Sequence, residues 1–326
     1  NDGTKDFSVE DDFEDNIWYF MRGDIFRLPN NYVLLSSFTQ LGFQLFMSSF
    51  LTAFFKFNNG TSLLNRFFVN MIISSPFSSF ISMSLFKMSE GKSWRKLTTY
   101  NALIFPVIAS AVFLLYLIFN AIYQSSLYLT YRNIEKIIGG LALHIILSMI
   151  GSFISLKIPG SKPPFKVNLI PKQPVKQPFY LVGMTRYLIV GGYVSLNLFV
   201  SYCMVINMMH GFQTVSISRI FTFETLFILF LSSFASSFCF VYLCVKGENY
   251  KWWWNSFVSP SFCGVYYFVF AVLYFVIYNI GNIATFARFA FYHLMIGACF
   301  GFAAGFSGFV SCFLFLRILY ETMKST

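Results

Sequence analysis

The chain has 326 residues, of which 56% are hydrophobic, 21% aromatic and only 11% charged. A soluble domain carries about 25% charged residues, so this composition excludes a water-soluble body and points to a polytopic all-α membrane protein. The net charge of +10 sits in short connections between apolar runs, not in a separate basic domain, which argues against nucleic acid as a partner.

The chain starts at Asn1, not Met, with no signal peptide ahead of the first apolar run, so it reads as part of a longer protein. Residues 1–32 read as an acidic cytosolic segment, "DFSVEDDFEDN" at 6–16, followed by a juxtamembrane stretch. A helix needs about 20 apolar residues to cross the hydrocarbon core. Eight runs reach that length, at 33–55, 66–86, 98–122, 134–156, 184–210, 218–245, 256–278 and 289–319. Together they predict an eight-span domain over 33–319, closed by a short tail at 320–326.

Eight spans place both ends on one side. The connections at 87–96, 157–179 and 246–251 hold most of the lysines and arginines, and both termini share their face. The positive-inside rule makes that face cytosolic. The connection at 157–182 is the longest, and Pro159, Pro163, Pro164, Pro171, Pro174 and Pro178 should keep it extended. All five tryptophans, Trp18, Trp94 and Trp252–Trp254, fall on the same face. "KWWWN" therefore reads as an anchor at the headgroup level, where an apolar ring and a polar N–H are both served.

Few residues inside the spans suggest chemistry. Glu224 and His144 are intramembrane polar candidates, either as hydrogen-bond partners between helices or as stations of an ion or proton relay. Cys203, Cys239, Cys244, Cys263, Cys299 and Cys312 lack the spacing of a zinc site and read as small apolar residues. No nucleophile–base pair, phosphate loop or metal-binding spacing is found, so the expectation is no enzyme, no metal and no cofactor. In the last span Gly297, Gly301 and Gly305 follow one another at i+4 along one helix face, with Gly308 close by. That face suits tight packing inside the protein, or a groove that receives another protein's membrane helix. "NGT" at 59–61 makes Asn59 a glycosylation acceptor pattern in a short lumenal loop.

Four stretches, in order, resemble the nonaspanins, the transmembrane nine superfamily. "RGDIFRLP" (22–29) resembles the family's HGDVFRPP, through Gly23, Asp24, Phe26, Arg27 and Pro29. "LFKMSEGKSWRK" (85–96) resembles its YK-x-x-x-G-x-x-W-K-x loop, with Trp94 at the tryptophan. "NLIPKQPVKQPFY" (168–180) resembles N-x-IPRQIPxQPWY, through Pro171, Gln173, Gln177 and Tyr180. "ENYKWWWNSF" (248–257) resembles EDYRWWWRSF, through Tyr250, Trp252, Trp253 and Trp254. The sequence departs from the family at Leu28, at "SSFASS" (232–237) where the family often has an acid, and at the tail. There Lys324 holds the lysine of a coat-binding K-x-D signal, but Thr326 stands at the acid.

The resemblance implies a large lumenal domain and a first span ahead of this region, and residence in Golgi or endosomal membranes. It implies sorting or escort of other transmembrane proteins as cargo, particularly those with glycine-rich spans, with coat or adaptor proteins as further partners. The alternative is a transporter, channel or lipid-moving protein.

Overall fold

A computed structural model describes residues 18–55, 63–122, 131–160, 163–173, 175–209, 215–278 and 282–325. The acidic stretch at 6–16, Asn59 and Thr326 lie outside the described residues. Among the described residues the long helices are α1 (Tyr32–Phe54), α2 (Leu63–Met88), α3 (Trp94–Ile122), α4 (Tyr131–Lys157), α5 (Gly183–Asn197), α6 (Phe199–Met209), α7 (Val215–Lys246), α8 (Trp253–Tyr278) and α9 (Ile283–Ser325). No strand occurs among the described residues. The chain is a polytopic all-α membrane protein.

Among the described residues six helices, α2, α3, α4, α7, α8 and α9, are long and apolar enough to cross a membrane, and α5 with α6 makes a seventh if the bent pair counts as one span. The pair breaks the expected continuous run 184–210 at Leu198, with a bend of 64°. Ser195 and Asn197 donate to the carbonyls of Gly191 and Tyr193, four residues back, at 2.7 and 2.9 Å. Side chains that bond their own helix in this way favour a bend. The eighth expected run is α1. Its 23 residues are long enough to cross, but it is not among the apolar six, and its Ser36, Thr39, Gln40, Gln44 and Ser48 are buried inside the protein.

The helices form two lobes. In the first, α1, α2, α3 and α4 pack together; in the second, α5, α7, α8 and α9 do, with α6 beside α5 and α7. α1 joins the lobes by packing on α9 and α7. Of the apolar stretch of α9, 67% is buried, against 17% for α3, so α9 lies at the centre and α3 at the edge. α9 has 43 residues, about 65 Å of helix. The expected tail at 320–326 is therefore, up to Ser325, the end of a helix and not a separate segment.

Prolines inside α2, α3 and α8 remove backbone donors, and α2 shows how one loss is met. Pro76 cannot donate to Ile72, whose carbonyl accepts Ser75 Oγ at 2.8 Å instead.

Candidate functional site

All four motif stretches meet at one end of the bundle, the end that carries the basic connections, the second of them through Leu85 and Phe86. Asp24 is 2% exposed. Its Oδ1 accepts the Arg27 guanidinium at 2.8 Å, and its Oδ2 accepts Asn168 Nδ2 and the Lys172 backbone N–H, both at 3.4 Å. Arg27 also donates to Asn168 O at 2.7 Å, and Asn168 N–H donates to Gly23 O at 2.8 Å. The Asn168 side chain lies directly over Gly23, and a Cβ there would have to displace it. Further along, Lys172 Nζ pairs with Glu248 at 2.5 Å and Gln177 Nε2 donates to Gly247 O at 2.5 Å. The Pro-rich connection is thus bound to the segment before α1 on one side and to the α7–α8 turn on the other.

The tryptophans close this cap from within. Trp252 and Trp253 are 0% and 2% exposed. Their rings stack at 4.4 Å, Trp252 Nε1 donates to Ile25 O at 2.8 Å, and Trp253 meets Tyr32 edge-on at 5.2 Å. Burial overturns the headgroup-anchor reading for both. Trp252 precedes the first residue of α8, so the two indoles are not splayed by the helical turn and can stack. Trp254 is the half-buried one, and it donates to Asn30 O at 3.0 Å. Phe26 packs edge-on against Tyr320 of α9 at 5.9 Å, and Tyr320 O–H donates to Trp18 O at 3.2 Å. Pro29 and Tyr250 are half-buried at the rim, while Pro171, Gln173 and Tyr180 are exposed. Trp94, at the start of α3, stays outside the cap under the Arg95 guanidinium. Lys324 is exposed near the end of α9.

What the cap presents outward is apolar and basic. Leu169 is 99% and Ile170 84% exposed, between Lys166 and Lys172. Next to them Tyr19, Phe20, Arg22, Phe165 and Lys166 line an open cleft of about 890 Å³.

The glycine face of the last span is already occupied. A Cβ on Gly297 would meet Gly264 O of α8 at 2.7 Å, one on Gly301 would meet Ser261 O at 2.9 Å, and one on Gly305 would meet Phe257 O at 2.9 Å. These glycines serve close packing of α9 on α8, which corrects their assignment as a face that recognises other helices. The open groove above Gly264, Gly297 and Gly301 holds about 440 Å³ and runs between Trp254 and Phe268.

The two intramembrane candidates part company. Glu224 is exposed on α7, outside the bundle interior. His144 is fully buried and belongs to a polar seam that the sequence reading did not assemble. Along α1, Tyr32, Ser36, Gln40, Gln44, Ser48 and Thr52 recur at i+4 and make one face. α2 answers with Asn70, Ser74, Ser78 and Ser82, and α4 with His144, Ser148 and Ser152. The rungs run from end to end. Tyr32 O–H meets Ser89 Oγ at 2.8 Å, and Ser82 Oγ donates to Ser36 O at 2.8 Å. Gln40 Nε2 and Ser148 Oγ both donate to Asn101 O at 3.1 Å. Gln44 Nε2 donates to Met71 O at 2.7 Å and to His144 Nε2 at 2.8 Å. Ser48 and Ser74 hydroxyls meet at 2.9 Å, and Asn70 Nδ2 donates to Thr52 Oγ1 at 2.8 Å. From Tyr32 to Thr52 is about 30 Å of helix, the thickness of a hydrocarbon core.

The family model "Endomembrane protein 70" matches residues 2–283. The chain belongs to this endomembrane protein 70 family, the nonaspanins. It is 29% identical to a Transmembrane 9 superfamily protein of Schizosaccharomyces pombe, over 97% of this chain and 51% of that protein. It is 26% identical to Transmembrane 9 superfamily member 8 of Arabidopsis thaliana, over 95% of this chain and 49% of that one. The human Transmembrane 9 superfamily member 2 is also 26% identical, over 97% and 49%. The chain thus spans about half the length of these nonaspanin relatives. No solved structure matches it.

Proposed function

We propose that this nonaspanin chain is the membrane part of a non-enzymatic Golgi or endosomal protein that sorts or escorts other membrane proteins. The carrying observation is the braced Pro-rich loop, which holds Leu169 and Ile170 out into solvent among lysines. Exposed apolar side chains rimmed by polar ones suit a protein contact. Lys166, Lys172 and Arg22 suit a coat or adaptor surface that is acidic around an apolar spot. The cap faces the cytosol in this reading, in keeping with its lysines and arginines. Recognition of glycine-rich helices at Gly297, Gly301 and Gly305 is not part of it, because α8 covers them.

The test compares cells expressing full-length wild type with cells expressing the double variant Leu169→Asp/Ile170→Asp. Wild type should restore the surface level of other membrane proteins in cells lacking the endogenous protein, and the variant should not. A variant that folds, as judged by size-exclusion chromatography, and restores the surface proteome fully would remove the loop from the account.

A further inference from the structure

The first lobe's polar interior holds its helices together and also leaves buried polar atoms that this packing does not use. Its middle has only a small apolar cluster, Leu41 and Leu45 of α1 with Met71 of α2, against which Ile104 and Phe105 of α3 pack. The rest is a transmembrane column of hydroxyls and amides. Several of these groups are not satisfied by the protein. Gln40 Oε1, Gln44 Oε1, His144 Nδ1 and Ser152 Oγ are buried with no hydrogen-bond partner among the described residues. Unpaired buried polar atoms of this kind are served by internal water where the site is polar.

The hydrogen bonds also fix the state of His144. Met71 O accepts only from a donor, so the Gln44 atom facing it is the amide nitrogen. The same nitrogen points at His144 Nε2, which therefore accepts, leaving the proton on Nδ1. Around the ring stand Gln44 of α1, Met71 of α2 and Phe105 of α3, and no Asp, Glu, Lys or Arg is buried among the described residues of these helices. A neutral column with one histidine suits proton movement better than passage of a metal cation, which needs carboxylates or many carbonyls around it.

We propose that the α1–α4 lobe carries a hydrated proton path across the membrane, with His144 as its central station. Gln44 must first turn its N–H away from Nε2; a proton is then taken up at Nε2 from one side and the Nδ1 proton released to the other, leaving a neutral ring of the opposite tautomer whose Nε2–H can donate to Gln44 Oε1. One proton crosses, nothing is oxidised, and return of the tautomer resets the ring.

The full-length protein is reconstituted into liposomes containing a pH-sensitive dye, and a potassium diffusion potential drives the flux. Wild type should change internal pH faster than protein-free liposomes. His144→Leu and Ser48→Val, which act at different rungs, should each cut the excess rate by about tenfold, the effect of losing one hydrogen-bonded station. Ser48→Val changes little volume and serves if His144→Leu does not elute as a folded protein. Leu169→Asp/Ile170→Asp should leave the rate unchanged, which separates this path from the sorting surface. Wild-type liposomes no faster than empty ones would overturn the proposal, as would full rates in both seam variants.

Discussion

The two lobes are built from the same kind of helix and filled in different proportions of apolar and polar groups. The second is packed by shape. Its α8 and α9 touch backbone to backbone at Gly264 and Gly297, and Tyr202, Tyr267 and Phe300 pack edge-on or tilted around them with ring centroids 5.1–5.6 Å apart. The first is held by amides and hydroxyls that cross between α1, α2, α3 and α4. In lipid there is little hydrophobic gain from pressing one helix on another, so contact comes from close packing or from polar bonds. The second lobe uses both, since Tyr202 O–H donates to Cys263 O at 3.0 Å and Tyr267 O–H meets His293 Nδ1 at 2.6 Å; the first relies mainly on polar bonds. The difference teaches that the balance between the two means can vary within one membrane protein.

Substitutions that fill or empty space should therefore cost most in the cap and the second lobe. Trp252→Ala removes a fully buried indole and its bond to Ile25, and should lower stability by about 3–5 kcal/mol, read from thermal unfolding in detergent. Gly264→Leu comes next. Any Cβ there would lie 2.1 Å from Gly297 O, so α8 and α9 must part, at about 1–3 kcal/mol. Unfolding temperatures equal to wild type in both would break the comparison from the side of the second lobe.

The first lobe should respond differently. The double variant Gln44→Leu/His144→Leu removes both partners of a buried bond, and such a replacement can be nearly neutral. Its stability should change by no more than about 1 kcal/mol, in line with the modest worth of polar bonds between membrane helices. The smallest effect belongs to Lys172→Ala, which breaks an ion pair whose side chains are 27% and 30% exposed, at about 0–1 kcal/mol. High salt should erase the difference between that variant and wild type.

How much of this was legible follows the range of each interaction. The eight runs are local, and hydropathy places all of them on helices; the break at Leu198 depends on side-chain bonds from Ser195 and Asn197 that hydropathy does not weigh. The cap was hidden because its bonds join residues far apart, such as Arg27 with Asn168 and Trp252 with Ile25. The motifs marked the places, but composition suggested an interface for tryptophans that are in fact buried. Gly297, Gly301 and Gly305 were read as a face, and the face exists; its partner, α8, lies in the same chain. The polar seam was open to view. Tyr32, Ser36, Gln40, Gln44, Ser48 and Thr52 keep i+4 spacing, yet averaging hydropathy over α1 blurs the stripe into one more apolar run.

The contrast between lobes is tested most directly by reactivity toward a water-soluble thiol reagent, with peptide mass spectrometry as the readout. All six native cysteines lie in α5–α9, and Cys263 and Cys312 are fully buried there, so they serve as internal controls. A cysteine placed on the seam by Ser48→Cys or Ser74→Cys should be modified in intact membranes while Cys263 and Cys312 are spared, since a thiol reacts as the thiolate that water allows. Seam cysteines as inert as Cys312 would contradict a hydrated first lobe.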